Sequence, residues 1–226
     1  MKPLRFAVLA LGLLAACGDD DDVVGFEEVP IGALSFDLVG AGFDRSFVSS
    51  GALDLDAAGV PVFGPFAFAV RDESGRSDAM LITAFSPGQQ PRGQTTVLFL
   101  ESARGTGDHS LDYECNPGFG NRCAFGLFAP DVHIENADLQ FEPQGEVFVF
   151  DTGTLSVTRF TDDRVEGTFS GVGVFINVAT MKESAPVEVV GGRFEVPILR
   201  QGRTGVLVSR STPEAGLLRR LVRPPR

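Results

Sequence analysis

Between residues 30 and 210 apolar residues rarely recur at the three-and-four spacing of a helix. They come in short runs or alternate with polar residues, and Gly, Pro and Asp cut the runs apart. The pattern predicts strands over Leu34–Leu38, Ser46–Leu55, Pro65–Asp72, Ala79–Phe85, Thr95–Glu101 and Cys123–Phe128. It continues with Glu146–Phe150, Thr154–Phe160, Val165–Val174, Pro186–Val190, Arg193–Leu199 and Gly205–Val208. Short strands at regular spacing point to a single all-β domain, an antiparallel sandwich or a barrel. Two hairpins are readable: Thr154–Phe160 and Val165–Val174 joined by the polar turn Thr161-Asp162-Asp163-Arg164, and a later one at Gly191-Gly192 ahead of Arg193–Ile198. Leu155 and Val157 would share one face, with Thr154, Ser156 and Thr158 on the other. In the partner strand Gly167 and Gly171 share parity with Val165 and Phe169, which predicts bulges or close backbone approach. Pro197 lacks an amide hydrogen, so it places Arg193–Leu199 near a sheet edge.

Ahead of this domain the pattern changes. Lys2 and Arg5 precede Phe6–Ala16, an apolar run of 11 residues. As a helix it would reach about 16 Å against a hydrocarbon core of about 30 Å, too short to span. A basic start, a short apolar run and small residues at its end read as a secretory signal. The run closes on Leu14-Ala15-Ala16-Cys17, which resembles the lipobox of bacterial lipoproteins in all four positions. The resemblance implies cleavage before Cys17, a thioether-linked diacylglycerol on its sulfur and acylation of the new amino terminus, with palmitate among the chains. Gly18 directly after Cys17 resembles the outer-membrane class, and Asp19–Asp22 resembles the acidic signals of surface-exported members. The alternative reading of that acidic run is a plain hydrated spacer.

A further resemblance covers residues 153–197. Gly153–Gly171 and Gly191–Pro197 are similar to segments of uncharacterised all-β surface lipoproteins of calycin-like or sandwich form. That similarity implies an architecture and an envelope setting, with no activity attached. The expected layout is a signal helix over 1–16, a disordered lipidated acidic tether over 17–29, an all-β domain over 30–212 and a basic tail over 213–226. The tail stretch Pro213–Arg223 could place Leu217, Leu218, Leu221 and Val222 on one face. Three readings stay open for it: contact with anionic membrane, pairing with the acidic body, or a frayed terminus.

Charge narrows the partners. The chain carries 19 Lys plus Arg against 30 Asp plus Glu, a formal net charge of -11. Removing Lys2 and Arg5 leaves 17 basic against 30 acidic side chains, or -13 for the mature form. A duplex-binding protein needs a cationic footprint, so no nucleic-acid partner is expected. The expected partners are a membrane, through the anchor at Cys17, and an unknown protein or small apolar ligand.

Lipidation of Cys17 leaves Cys115 and Cys123, which flank a turn-rich loop of Pro, Gly and Asn. Outside the cytoplasm a disulfide between them is the expected outcome. A metal site drawing in His109 or His133 is the competing reading, against any standard zinc spacing. A redox pair would favour C-x-x-C, which is absent.

The chemistry of catalysis is thin. His109, in Gly107-Asp108-His109-Ser110, and His133, expected to face solvent, are the two histidines. Neighbours on one strand do not converge as a Ser–His–Asp arrangement requires. Gly167-Thr168-Phe169-Ser170-Gly171 puts its Ser one place late for a nucleophile elbow. Asp54 with Asp56 reads as one wet strand face, and Asp162 with Asp163 as turn residues. No catalytic, cofactor or metal residue is assigned, and the expectation is a protein that is not an enzyme. Its 20 Phe against 1 Tyr and no Trp fit rings in a core. A Phe-lined barrel holding a lipophilic ligand is the second reading, and an enzyme of unknown chemistry the third. The leading expectation is a lipid-anchored outer-membrane protein, facing the periplasm or the surface, with a structural or interaction role.

Overall fold

A computed structural model describes residues 31–40, 42–52, 64–71, 79–89, 92–101, 103–112, 122–135 and 140–199. They form eleven strands: β1 (Gly32–Gly40), β2 (Phe43–Gly51), β3 (Phe66–Arg71), β4 (Met80–Pro87), β5 (Arg92–Leu100) and β6 (Gly107–Asp112). The others are β7 (Cys123–Glu135), β8 (Gln140–Pro143), β9 (Glu146–Phe160), β10 (Arg164–Asn177) and β11 (Val187–Leu199). All belong to one sheet, in the order β10-β9-β6-β7-β5-β4-β3-β11-β1-β2, with β8 on β7. Two further pairings, β10 with β11 and β9 with β7, fold the sheet back on itself.

The expected antiparallel sandwich or calycin-like barrel is therefore corrected to a single mixed sheet. β11 runs parallel to β3 (Ile198↔Ala69), and β6 runs parallel to β7 (Ser110↔Cys123). A calycin-like barrel pairs its strands antiparallel in up-and-down order. A sandwich needs two sheets. Here long strands do the work of both. β9 pairs with β10 along most of its length, with β6 over Thr152–Val157, and with β7 at Phe148 and Val149. β11 pairs with β1 and β10 and then turns to β3. Among the described residues there is no helix, and none long and apolar enough to cross a membrane. The signal helix expected over 1–16 lies outside the described residues, as do the tether over 17–29 and the tail over 213–226.

The strand rhythm is largely recovered, with two mergers. Glu146–Phe150 joins Thr154–Phe160 in β9, because Thr152 and Gly153 stay in register with Val172 and Gly171. Pro186–Val190 joins Arg193–Leu199 in β11 through a bulge. There Phe169 and Gly171 of β10 oppose Gly192 and Val189, and Gly191 supplies φ +63. The β9–β10 hairpin stands as expected. Thr161 Oγ1 donates to Asp163 Oδ1 at 2.6 Å, and this bond holds the Asp163 carboxyl below its ordinary range. Two strands were not expected. β6 holds Leu111 as its one aliphatic side chain, and β8 is only four residues long. Gly205–Val208 lies outside the described residues.

Pro197 is not on an edge strand. The Ile198 amide donates to the Asp163 carbonyl on the β10 side. The Pro197 nitrogen thus faces the other way, where β11 passes from β1 (Ala33↔Glu195) to β3 (Ile198↔Ala69). The missing hydrogen falls at a change of partner, where no ladder bond is lost.

The interior is built from phenylalanine. Phe36 packs on Phe47 and on Phe128, each at 5.3 Å between ring centroids, and on Phe169 at 5.7 Å. These rings come from β1, β2, β7 and β10, so they join strands from distant parts of the sheet. A second group, Phe43, Phe148, Phe150 and Phe175, closes toward one end, with Phe43 stacked on Phe175 at 4.4 Å. The expected close approach at glycine is also present. A Cβ on Gly167 would overlap the Ser156 carbonyl and the Phe194 ring, and one on Gly192 the Phe169 carbonyl and ring. Gly167 faces Phe194 and Phe169 faces Gly192 across the β10–β11 pair. Each ring lies over the bare backbone opposite it, the arrangement that compensates a glycine within a sheet.

Candidate functional site

His109 does not converge with its strand neighbours. The pleat of β6 turns Asp108 and Ser110 outward and His109 inward, so the three side chains diverge. His109 is 1% exposed, and neither ring nitrogen has a hydrogen-bond partner. Its pKa is lowered from 6.5, first by burial and then by the Arg122 cation. The Cys123 and Glu101 backbones and the Asp108 carboxylate pull the other way. His109 is a buried neutral imidazole packed beside Leu111 and Leu155. His133 was expected to face solvent and is half-buried instead, between Arg92 of β5 and Glu142 of β8.

Ser170 stands exposed within β10 and not at an elbow. Asp162 and Asp163 occupy the β9–β10 turn. Asp19–Asp22, Cys17, Asp54 and Asp56 lie outside the described residues. So does Cys115, which leaves Cys123, buried at the start of β7, as the single cysteine among those described. Cys123 is disulfide-bonded, and Cys115, the partner expected from the sequence, lies outside the described residues. Among the described residues no three His, Cys, Asp or Glu side chains gather as a metal site would need.

The Phe-lined cavity of the second reading meets a different arrangement. Phe36, Phe47, Phe128, Phe150 and Phe169 contact one another through the interior at 5.3–6.1 Å. Rings at those separations fill space with each other.

What the sheet does present is an outer face across six strands, in the order β6-β9-β10-β11-β1-β2. The registers line its side chains into rows. One row runs Asp108, Ser156, Thr168, Arg193, Ser35, Val48. Another runs Asp112, Thr152, Val172, Glu188, Val39, Asp44. Between them lie Ser110 with Thr154 and Ser170, and Val190 with Asp37 and Ser46. Most of these side chains are exposed and the rest half-buried. Short hydrogen bonds fix several of them. Ser156 donates to Asp108 at 2.6 Å, Ser46 to Asp37 at 2.6 Å, and Arg193 Nε to Ser35 at 3.1 Å. Asp37 sits among three exposed valines, Val39, Val48 and Val190, at 45%, 61% and 38% exposure. Apolar side chains grouped on a polar face mark a contact surface more than isolated ones do.

Part of this face was legible. The alternation Thr154, Ser156, Thr158 places hydroxyls on one side of a strand, as expected. What no local pattern carries is which strands stand side by side, so the rows could not be assembled from sequence. No protein-family model, no curated protein and no solved structure matches the chain.

Proposed function

We propose that this is a lipid-anchored protein of the bacterial cell envelope that acts by presenting its six-strand outer face to a partner, without catalysis. The anchor follows from the resemblance of Leu14-Ala15-Ala16-Cys17 to a lipobox, and Gly18 favours the outer membrane. The observation that carries the interaction role is the outer face itself: cross-strand rows of hydroxyls and carboxylates, held by short hydrogen bonds, with a valine group at one side. Such a face would bind by hydrogen bonding at many points, with a small apolar group toward its β2 side. The His109 setting supports the non-catalytic reading, since a buried imidazole facing Leu111 and Leu155 has no reach to a substrate.

Two measurements on cells test this. Mass spectrometry of the protein extracted from membranes should find a chain starting at a diacylglycerol-modified Cys17. A soluble chain with an intact leader and a bare Cys17 would overturn the anchor. A photo-crosslinking residue at Val48 should give a discrete adduct in intact cells, and the same residue at Glu183, on the loop after β10, should not. Equal or absent adducts at both positions would overturn the interaction face.

A further inference from the structure

We propose that the partner of the outer face docks along the free edge of β2, adding an extended basic segment there as an antiparallel strand, with Lys or Arg opposite Asp44 and an aliphatic side chain opposite Val48; this rests on the interaction reading above. At the other end of the strand order β10 pairs with β11 as well as β9, which leaves no edge there. Among the described residues β2 pairs with β1 alone, so every second N–H and C=O of β2 points away from the sheet. β8 is the other strand with one partner, and it is four residues long and ends in Pro143. Shortness, proline and bulges blunt an edge against pairing. β2 has none of them. It is nine residues long, lacks proline and keeps register with β1 from Phe43 to Gly51 without a bulge. Its inner side is fixed as well. Ser49 is buried, and its Oγ donates to the Phe85 carbonyl at 2.6 Å, with the Phe66 carbonyl at 2.8 Å. The edge is therefore held in strand form before anything binds, which lowers the cost of ordering it.

The rows of the outer face say what the added strand carries. From β11 through β1 to β2, one row reads Glu188, Val39, Asp44 and the next Val190, Asp37, Ser46. Val48 ends the row after them, opposite Ser35. Asp44 and Glu188 are exposed and form no ion pair among the described residues, and Asp37 accepts from Ser46. An added strand sets its side chains in these same rows, with Cβ atoms about 4.5–5.5 Å from those directly opposite. A carboxylate opposite Asp44 would be repelled there, whereas Lys or Arg would pair with it. Asp37 and Glu188 stand two and three strand spacings from the newcomer, about 10–15 Å, and add to its attraction at low salt.

A second copy of this chain fits less well. Paired antiparallel with itself, β2 offers Asp44, Ser46, Val48 and Ser50 on this face, with no base among them. Its Arg45 belongs to the other face and lies over the Phe43 ring. Each copy also brings a formal net charge of -11.

The test is hydrogen exchange, read residue by residue, on the full-length protein with two end-blocked peptides as probes. One reads Thr-Val-Thr-Ser-Thr-Lys-Thr, which antiparallel to β2 puts its Val opposite Val48 and its Lys opposite Asp44. The other has Glu in place of Lys. In the free protein alternate amides of β2 should exchange fast. The Lys peptide should slow them, and the Glu peptide should need about fivefold more to do the same. Asp44→Asn, at an exposed position, should make the two peptides equivalent. Slow exchange of those amides in the free protein would overturn the proposal, because the chain itself would already cover the edge, or a second copy if the slowing rises with protein concentration. So would equal protection by the two peptides, or protection by neither. The Val48 adduct in cells reports the face reading separately. An adduct without a peptide effect keeps that reading and rejects strand addition, and a peptide effect without an adduct rejects the face reading.

Discussion

At the scale of single residues, His109 shows how a titratable group becomes structural. On β6 it takes a core position between aliphatic neighbours, and burial and Arg122 both favour the neutral ring. The unfolded chain takes up its proton near 6.5, while the folded chain resists doing so. Its contribution to stability is therefore complete above about 6.5 and is lost as the pH falls below that toward the folded value. Thermal melts between about pH 7.5 and 5.5 should show the midpoint falling with pH, and His109→Phe should flatten that slope. An unchanged slope in the variant would mean that other groups carry it. Sequence reasoning separated His109 from Asp108 and Ser110 because strand neighbours point apart. It did not find β6, whose Gly-Asp-His-Ser-Leu-Asp composition reads as a loop. Its strand character comes from its neighbours: β9 on one side and β7 on the other.

Among the elements, the β9–β10–β11 unit shows why this chain combines 27 Gly with 20 Phe. Gly167 opposite Phe194 and Gly192 opposite Phe169 let rings lie over backbone while the strands bend through bulges. Gly167→Ala should cost about 1–3 kcal/mol in chemical denaturation, because the new methyl meets both the Ser156 carbonyl and the Phe194 ring. In a Phe194→Leu background the penalty should shrink without vanishing, since the carbonyl remains. Full additivity of the two substitutions would show that ring and glycine are energetically independent. This hairpin was the most legible part of the fold, because turn chemistry, alternation and glycine parity are all local. Pro197 was placed wrongly for a related reason. Its missing hydrogen announces an unpaired position, but a change of partner inside a sheet satisfies that as well as an edge does.

For the whole molecule, the mixed sheet follows from a few strands long enough to serve two sets of neighbours. Sequence rhythm yields strand count and faces, but adjacency depends on contacts between residues far apart in the chain. β1 near residue 35 pairs with β11 near residue 193, and β3 near residue 69 meets β11 near residue 198. Chains dominated by such distant pairings fold slowly. Refolding from denaturant, followed by far-ultraviolet circular dichroism, should be complete in about 0.1–10 s. A sub-millisecond refolding phase carrying the full amplitude would contradict the role given to β11.

The place of β11 also bears on how the protein comes into being. A polypeptide made from its amino terminus exposes β1 and β2 long before β11 has left the ribosome, and until then β1 lacks one of its two flanking strands. The nascent chain stays open for most of its synthesis. A channel that accepts only threaded, unfolded polypeptide would find it passable for nearly that whole interval.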